Sequence, residues 1–178
     1  MVMVRALSTL CMLHYAFCFS SVIVSPVIAS AEIIDRVLAV VGGVVITQSD
    51  ATAAFELGLV SIGPTDDPLA TALSKLIDRQ LMLTEVERYA PPDPPEEAVD
   101  RLVESVRSKF PVSGAYTAAL NRSGVDEARL RQILRDQIRI DAYLEQRFAS
   151  ESRATLIGEW VNGLRRRTDI TYLYVPRR

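Results

Sequence analysis

The chain predicts a mainly α-helical domain of about six helices, joined to a small sheet made by an N-terminal β-hairpin and a C-terminal strand. Three observations carry this expectation. Between residues 51 and 164, apolar side chains recur at helical spacing in stretches that open on capping residues and mostly close on glycine or proline. Before them, two β-branched runs flank the turn dipeptide Gly42-Gly43. After them, Ile170-Thr171-Tyr172-Leu173-Tyr174-Val175 alternates as a strand does.

Ile33 to Val41 and Val44 to Thr47 supply the arms of the hairpin. Ser49 or Asp50 can accept from the free amides of a first helix over Ala51 to Val60, which Gly63-Pro64 stops. Asp67-Pro68 is a second start signal, a cap followed by proline at the first helical position. Leu69, Leu73, Leu76, Ile77 and Leu81 then mark one face of a helix reaching about Arg88, and Leu81-Met82-Leu83 make it apolar nearly all round, so a central position is expected. The proline-rich run from Tyr89 to Pro95 forms a stiff connector between helices. Glu96 and Glu97 suit the positive end of a third helix with the stripe Val99, Leu102, Val103, Val106 and Phe110, ended by Pro111. A short fourth helix runs from Ser113 to Asn121 and closes on Gly124. Asp126 caps a fifth, whose apolar face is Leu130, Ile133, Leu134, Ile138 and Leu144, with its end near Phe148. A sixth carries Leu156, Ile157, Trp160, Val161 and Leu164, with Trp160 expected as core that fastens this segment to the rest. The closing strand is protected most simply by joining an edge of the hairpin.

With 178 residues, 49% hydrophobic and 24% charged, the length fits one domain behind a leader. Arg5 is the sole charge before Glu32, and the run between is almost wholly apolar. Ala29-Ser30-Ala31 then offers a signal-peptidase site, cleaved between Ala31 and Glu32. The expected organisation is therefore a signal peptide at 1–31 and a helical domain at 32–178 that is exported to the periplasm. The competing reading is an inner-membrane anchor formed by uncleaved residues 6–28.

Cys11, Cys18 and His14 all fall inside the leader. The mature chain therefore holds no Ser-His-Asp or Cys-His constellation, no Cys/His zinc site and no redox pair, and neither metal nor cofactor is expected. The two lysines follow serines directly, as Ser74-Lys75 and Ser108-Lys109, so neither makes the Ser-x-x-Lys pair of a helical dyad, and only a remote pairing in the fold could supply one. Asp66-Asp67 and Glu96-Glu97 sit at helix starts, where capping and dipole compensation account for them. Gly42-Gly43 lacks the further glycines and the lysine of a nucleotide loop. Arg131, Arg135 and Arg139 lie four apart, but Glu127, Asp136, Asp141 and Glu145 interleave them, which describes a solvated helix face better than a nucleic-acid surface.

The hairpin string Asp35-Arg36-Val37-Leu38-Ala39-Val40-Val41-Gly42-Gly43-Val44-Val45-Ile46-Thr47-Gln48-Ser49-Asp50 resembles the start of SurA-type periplasmic chaperones and related parvulin-family foldases. Leu76-Ile77-Asp78-Arg79-Gln80-Leu81-Met82-Leu83-Thr84-Glu85-Val86 is similar to that family's central helix, and Leu130-Arg131 through Gln137-Ile138-Arg139-Ile140 to its later long helix. The departure lies in length: 30 residues follow Phe148, fewer than the roughly 50 of even a small domain, so no parvulin isomerase domain fits there. The resemblance implies an ATP-independent chaperone module, without catalytic residues, that holds unfolded or outer-membrane-bound polypeptides. Tyr89, Phe110 and Tyr116, aromatic and near helix ends, are the expected peptide-binding residues. The alternatives are a non-catalytic envelope interaction subunit, including a homodimer that swaps its last helix and strand, and prolyl isomerisation by family association.

Overall fold

The computed structural model describes residues 35–149 and 151–175, so the expected leader, with Ala29, Ala31 and Glu32 at its cleavage site, lies outside the described residues. The elements are β1 (Val37–Val41), β2 (Val44–Thr47), α1 (Gln48–Glu56), α2 (Pro68–Arg88), α3 (Glu96–Arg107), α4 (Ala115–Ser123), α5 (Glu127–Arg147), α6 (Arg153–Arg167) and β3 (Ile170–Tyr172). Among the described residues this is the expected class: six helices and one small antiparallel sheet, mainly α.

The sheet order is β2-β1-β3, so the closing strand pairs with β1 and leaves β2 on the opposite edge. Gly42 and Gly43 both have positive φ, 55° and 88°, which matches the twist of a two-residue hairpin turn and brings Val41 opposite Val44. β3 is shorter than the alternation suggests. Register on β1 slips between Val37 and Ala39, and the amides of Leu173 and Tyr174 both donate to the Leu38 carbonyl at 2.9 Å, so the ladder ends where β1 bulges. Tyr174 then donates its hydroxyl to the Asp67 carboxylate at 2.9 Å and ties the end of the chain to the cap of α2.

The first helix starts earlier than expected. Thr47 is its cap, with Oγ1 accepting from the Asp50 amide at 3.2 Å, while the Asp50 carboxylate accepts from the Thr47 amide at 2.9 Å. This reciprocal box makes Asp50 the third helical residue and leaves Ser49 inside the helix. Thr47→Ala removes one half of the box, and a loss of about 1 kcal/mol in chemical denaturation is expected. α4 starts at Ala115 rather than Ser113, since Gly114 at its cap takes a φ of +79°. Gly124 closes α4 in the left-handed region, as read from the sequence.

α2 is central: it packs on both hairpin strands and on α1, α5 and α6. Ile77, Leu73 and Leu81 of α2 join Leu38, Val41 and Ile46 of the sheet and Leu164 of α6 in one apolar cluster. A second cluster unites Leu57 with Val99, Val103 and Val106 of α3, Leu120 of α4, and Leu130 and Leu134 of α5. Leu156 of α6, expected on an apolar stripe, is 39% exposed, while Ile157 and Trp160 of that stripe pack against the core.

The arginine row on α5 stays partly exposed, but Arg131 and Arg135 pair across helices rather than along their own. Arg131 reaches Glu96 and Asp100 of α3, each at 2.7 Å, Arg135 joins Glu96 from the other side, and Arg139 turns toward the buried Asp136. Glu127, spaced to pair with Arg131, pairs instead with Arg107 of α3, because α3 lies alongside and offers a partner that local spacing cannot reveal. Hydrogen bonds from Arg131 and Arg135 hold the Glu96 carboxyl below the usual glutamate range. A depressed carboxylate stabilises the fold above its unfolded range, and that contribution disappears as pH falls through the folded one. Glu96→Gln should therefore lower the melting temperature at neutral pH, with the difference closing in strong acid.

Candidate functional site

A cleft of about 620 Å³ opens between β2, the end of α1, the middle of α2, the far end of α3 and the first half of α5. Its shape begins with Gly58. There φ of +60° reverses the chain, the amides of Leu59 and Val60 both donate to the Ala54 carbonyl, and Leu59, Val60 and Ser61 run along the cleft as one wall. Leu57 turns inward and is fully buried, which pins the corner to the second apolar cluster. Lys109, just past α3, donates Nζ to the Gly58 carbonyl at 2.9 Å, and a Cβ at Gly58 would lie 3.1 Å from that nitrogen.

The opposite wall is the outer side of β2, where Val44 and Val45 are exposed. The floor comes from Leu76, Arg79 and Met82 of α2 facing Ile133, Leu134 and Gln137 of α5. Arg79 donates Nη2 to the Ile133 carbonyl at 2.8 Å and stands 3.9 Å from the Asp136 carboxylate. Burial pushes the Arg79 guanidinium down from the arginine range, and the Asp136 charge acts against that. Arg79 is thus a strut between α2 and α5.

The rim is charged. Lys75, Lys109 and Arg129 line it as cations, and Asp50, Asp78 and Asp141 as acids. Asp50 is held in the α1 capping box, and Asp78 accepts from Arg165 at 2.6 Å. Asp141 accepts from Gln137 at 2.9 Å, and partial burial pushes its carboxyl up despite that bond. Ser61 and Ser105 share the cleft with the two lysines, yet among the described residues no serine hydroxyl is hydrogen-bonded to either ammonium. No group of three His, Cys, Asp or Glu side chains among the described residues is arranged to hold a metal ion.

The three aromatic residues expected to bind peptide do not line this cleft. Phe110 and Tyr116 pack on each other with ring centroids 6.0 Å apart, against the second cluster, and Arg107 sits over the Tyr116 ring. Tyr89 is separate from them. It is 59% exposed at the end of α2 and meets Tyr143, which continues through Trp160 to Phe148 as a chain of rings. Among the described residues the cleft holds aliphatic and charged side chains but no aromatic ring, and it is formed by segments far apart in sequence. Both lysines of the chain line the cleft, though nothing local to either one marks it. Compared with family models and with curated proteins, the chain matches none.

Proposed function

We propose that this chain is an exported, ATP-independent, chaperone-like module that holds unfolded polypeptide segments, and that the cleft beside β2 is where it holds them. The observation that carries the reading is the cleft itself: about 620 Å³, partly walled by aliphatic side chains and bordered by a strand that, among the described residues, has no neighbour on its outer side. Apolar walls take sequence-tolerant side chains, and an open strand edge takes any backbone. In a two-residue hairpin Val41 and Val44 exchange the first ladder bonds, which turns the amide and carbonyl of Val45 away from β1, at the strand that lines the cleft. Such a holdase works by mass action, lowering the concentration of free unfolded chain, and requires no catalytic group. The resemblance of the hairpin and two helices to SurA-type chaperones supports the same reading, and with it a periplasmic location. No helix among the described residues is long and apolar enough to cross a membrane.

Turbidity of a denatured outer-membrane protein, diluted into buffer with increasing amounts of the purified protein, tests this. Suppression is expected to saturate near equal molar amounts without nucleotide, and a folded protein that suppresses nothing would refute it. Val45→Pro, at an edge position whose amide is outside the ladder, should fold and yet hold a peptide about fivefold more weakly, the worth of one backbone hydrogen bond. Anisotropy of a labelled peptide reads this directly. A proline-peptide assay is expected to show the uncatalysed isomerisation rate.

A second reading, an interaction subunit that pairs with one envelope partner or with a swapped copy of itself, is favoured by the other edge of the sheet. Among the described residues β3 has no strand on its outer side, and Tyr172, Leu173 and Val175 are exposed around it. Light scattering that shows a stable dimer would favour this reading over a monomeric holdase.

A further inference from the structure

We infer that the cleft selects apolar segments that carry a carboxylate, which Lys75, Lys109 and Arg129 recognise at its rim; this rests on the cleft being a peptide site. The inference comes from which of the charges around the cleft are already engaged. Among the acids, Asp50 is bonded into the α1 cap, Asp78 is paired with Arg165, and Asp141 accepts from Gln137 with its charged form disfavoured by partial burial. Among the cations, Arg79 is committed to the Ile133 carbonyl and Asp136. The other three have no ion-pair partner among the described residues, and all three are exposed. Lys109 is already aimed by its bond to Gly58, with two further N–H groups to offer.

Elsewhere five arginines, Arg107, Arg122, Arg131, Arg135 and Arg165, are neutralised by carboxylates of other elements. The chain as a whole carries a net charge of −2, so a rim with three unpaired cations runs against the overall balance. Lysine is also scarce here: both lysines of the chain, one from α2 and one from beyond α3, come to this rim from segments separated by the proline connector. Apolar walls with a cationic rim match an extended apolar segment bearing Asp or Glu, or ending in its own carboxylate. They mismatch one bearing Lys, which the rim repels.

The test uses short fluorescent peptides of alternating valine and threonine, read by anisotropy with the whole protein. Three have an amidated end and differ only at a central Glu, Gln or Lys, and a fourth has the central Gln and a free C-terminal carboxylate. The Glu peptide is expected to bind about fivefold more tightly than the Gln peptide and the Lys peptide more weakly than both, the differences shrinking as salt is added. A gain confined to the fourth peptide assigns the rim to chain ends rather than to acidic side chains. Lys75→Gln, an exposed change that breaks no bond, should reduce the preference. The combined change with Lys109→Gln and Arg129→Gln should remove it, so that Glu and Gln peptides bind alike. Equal binding of all four peptides by the unaltered protein overturns the inference while leaving the holdase reading standing. So does a preference that survives the triple change, or a folded triple variant that loses the Gln peptide as fully as the Glu peptide. Binding of none of the four overturns the holdase reading with it.

Discussion

Ile77→Ala should destabilise the protein by about 3 to 5 kcal/mol, the upper part of the range for truncating a buried aliphatic side chain. Ile77 is 0% exposed at the middle of α2, with Leu38, Val41 and Ile46 of the sheet and Leu164 of α6 in the same cluster. Both the sheet and α6 are fixed there, by the hairpin ladder on one side and by the Arg165 to Asp78 and Arg165 to Ser74 bonds on the other. The walls have little freedom to collapse, so the deleted atoms leave a cavity as well as lost burial. For a chain of this size the expected fall in melting temperature is about 6 to 20 °C. A fall of only a degree or two would mean that the walls relax and that α2 is not clamped as described.

Trp160→Ala is expected to cost about 3 kcal/mol, for a different reason. The indole is half-buried, so its removal opens a surface notch more than an enclosed void. What it does is connect: it packs against the sheet cluster and against the Leu83, Val86, Ile140 and Leu144 cluster, with Tyr143 and Phe148 rings 5.9 and 5.6 Å away. Its loss should therefore loosen α6 and β3 ahead of the rest. Hydrogen exchange should speed up first in those two elements, and an unchanged melting curve would refute the assignment of Trp160 as the fastening residue.

How far each feature could be read from sequence follows the range of the interaction that makes it. Asp67-Pro68 at the start of α2, Gly124 at the end of α4 and Gly42-Gly43 in the hairpin act within a few residues, and each does what its local chemistry implies. Thr47 was missed as the α1 cap because Ser49 and Asp50 are equally good acceptors by type. The choice among them falls to the hairpin, whose last strand residue must also be the first capping residue, with Gln48 already bonded back to the Arg36 carbonyl. The partners of the α5 arginines were hidden for a related reason: their acidic neighbours along the helix are visible in sequence, whereas Glu96 and Asp100 become partners when α3 is laid beside α5.

By itself the sequence determined the mainly α class, the hairpin, the number of helices and the central place of α2, because apolar periodicity and caps are local properties of the chain. Where the open surface lies depends on how the elements pack. Packing set Phe110 and Tyr116 against the second cluster, and left Tyr89 exposed beside Tyr143, apart from the other two. The cleft arose between β2, α2 and α5 from aliphatic residues and two lysines that have no pattern in common along the chain. A concave site is a property of the space between elements, and burial, exposure and the pairing of charges are settled when those elements pack together.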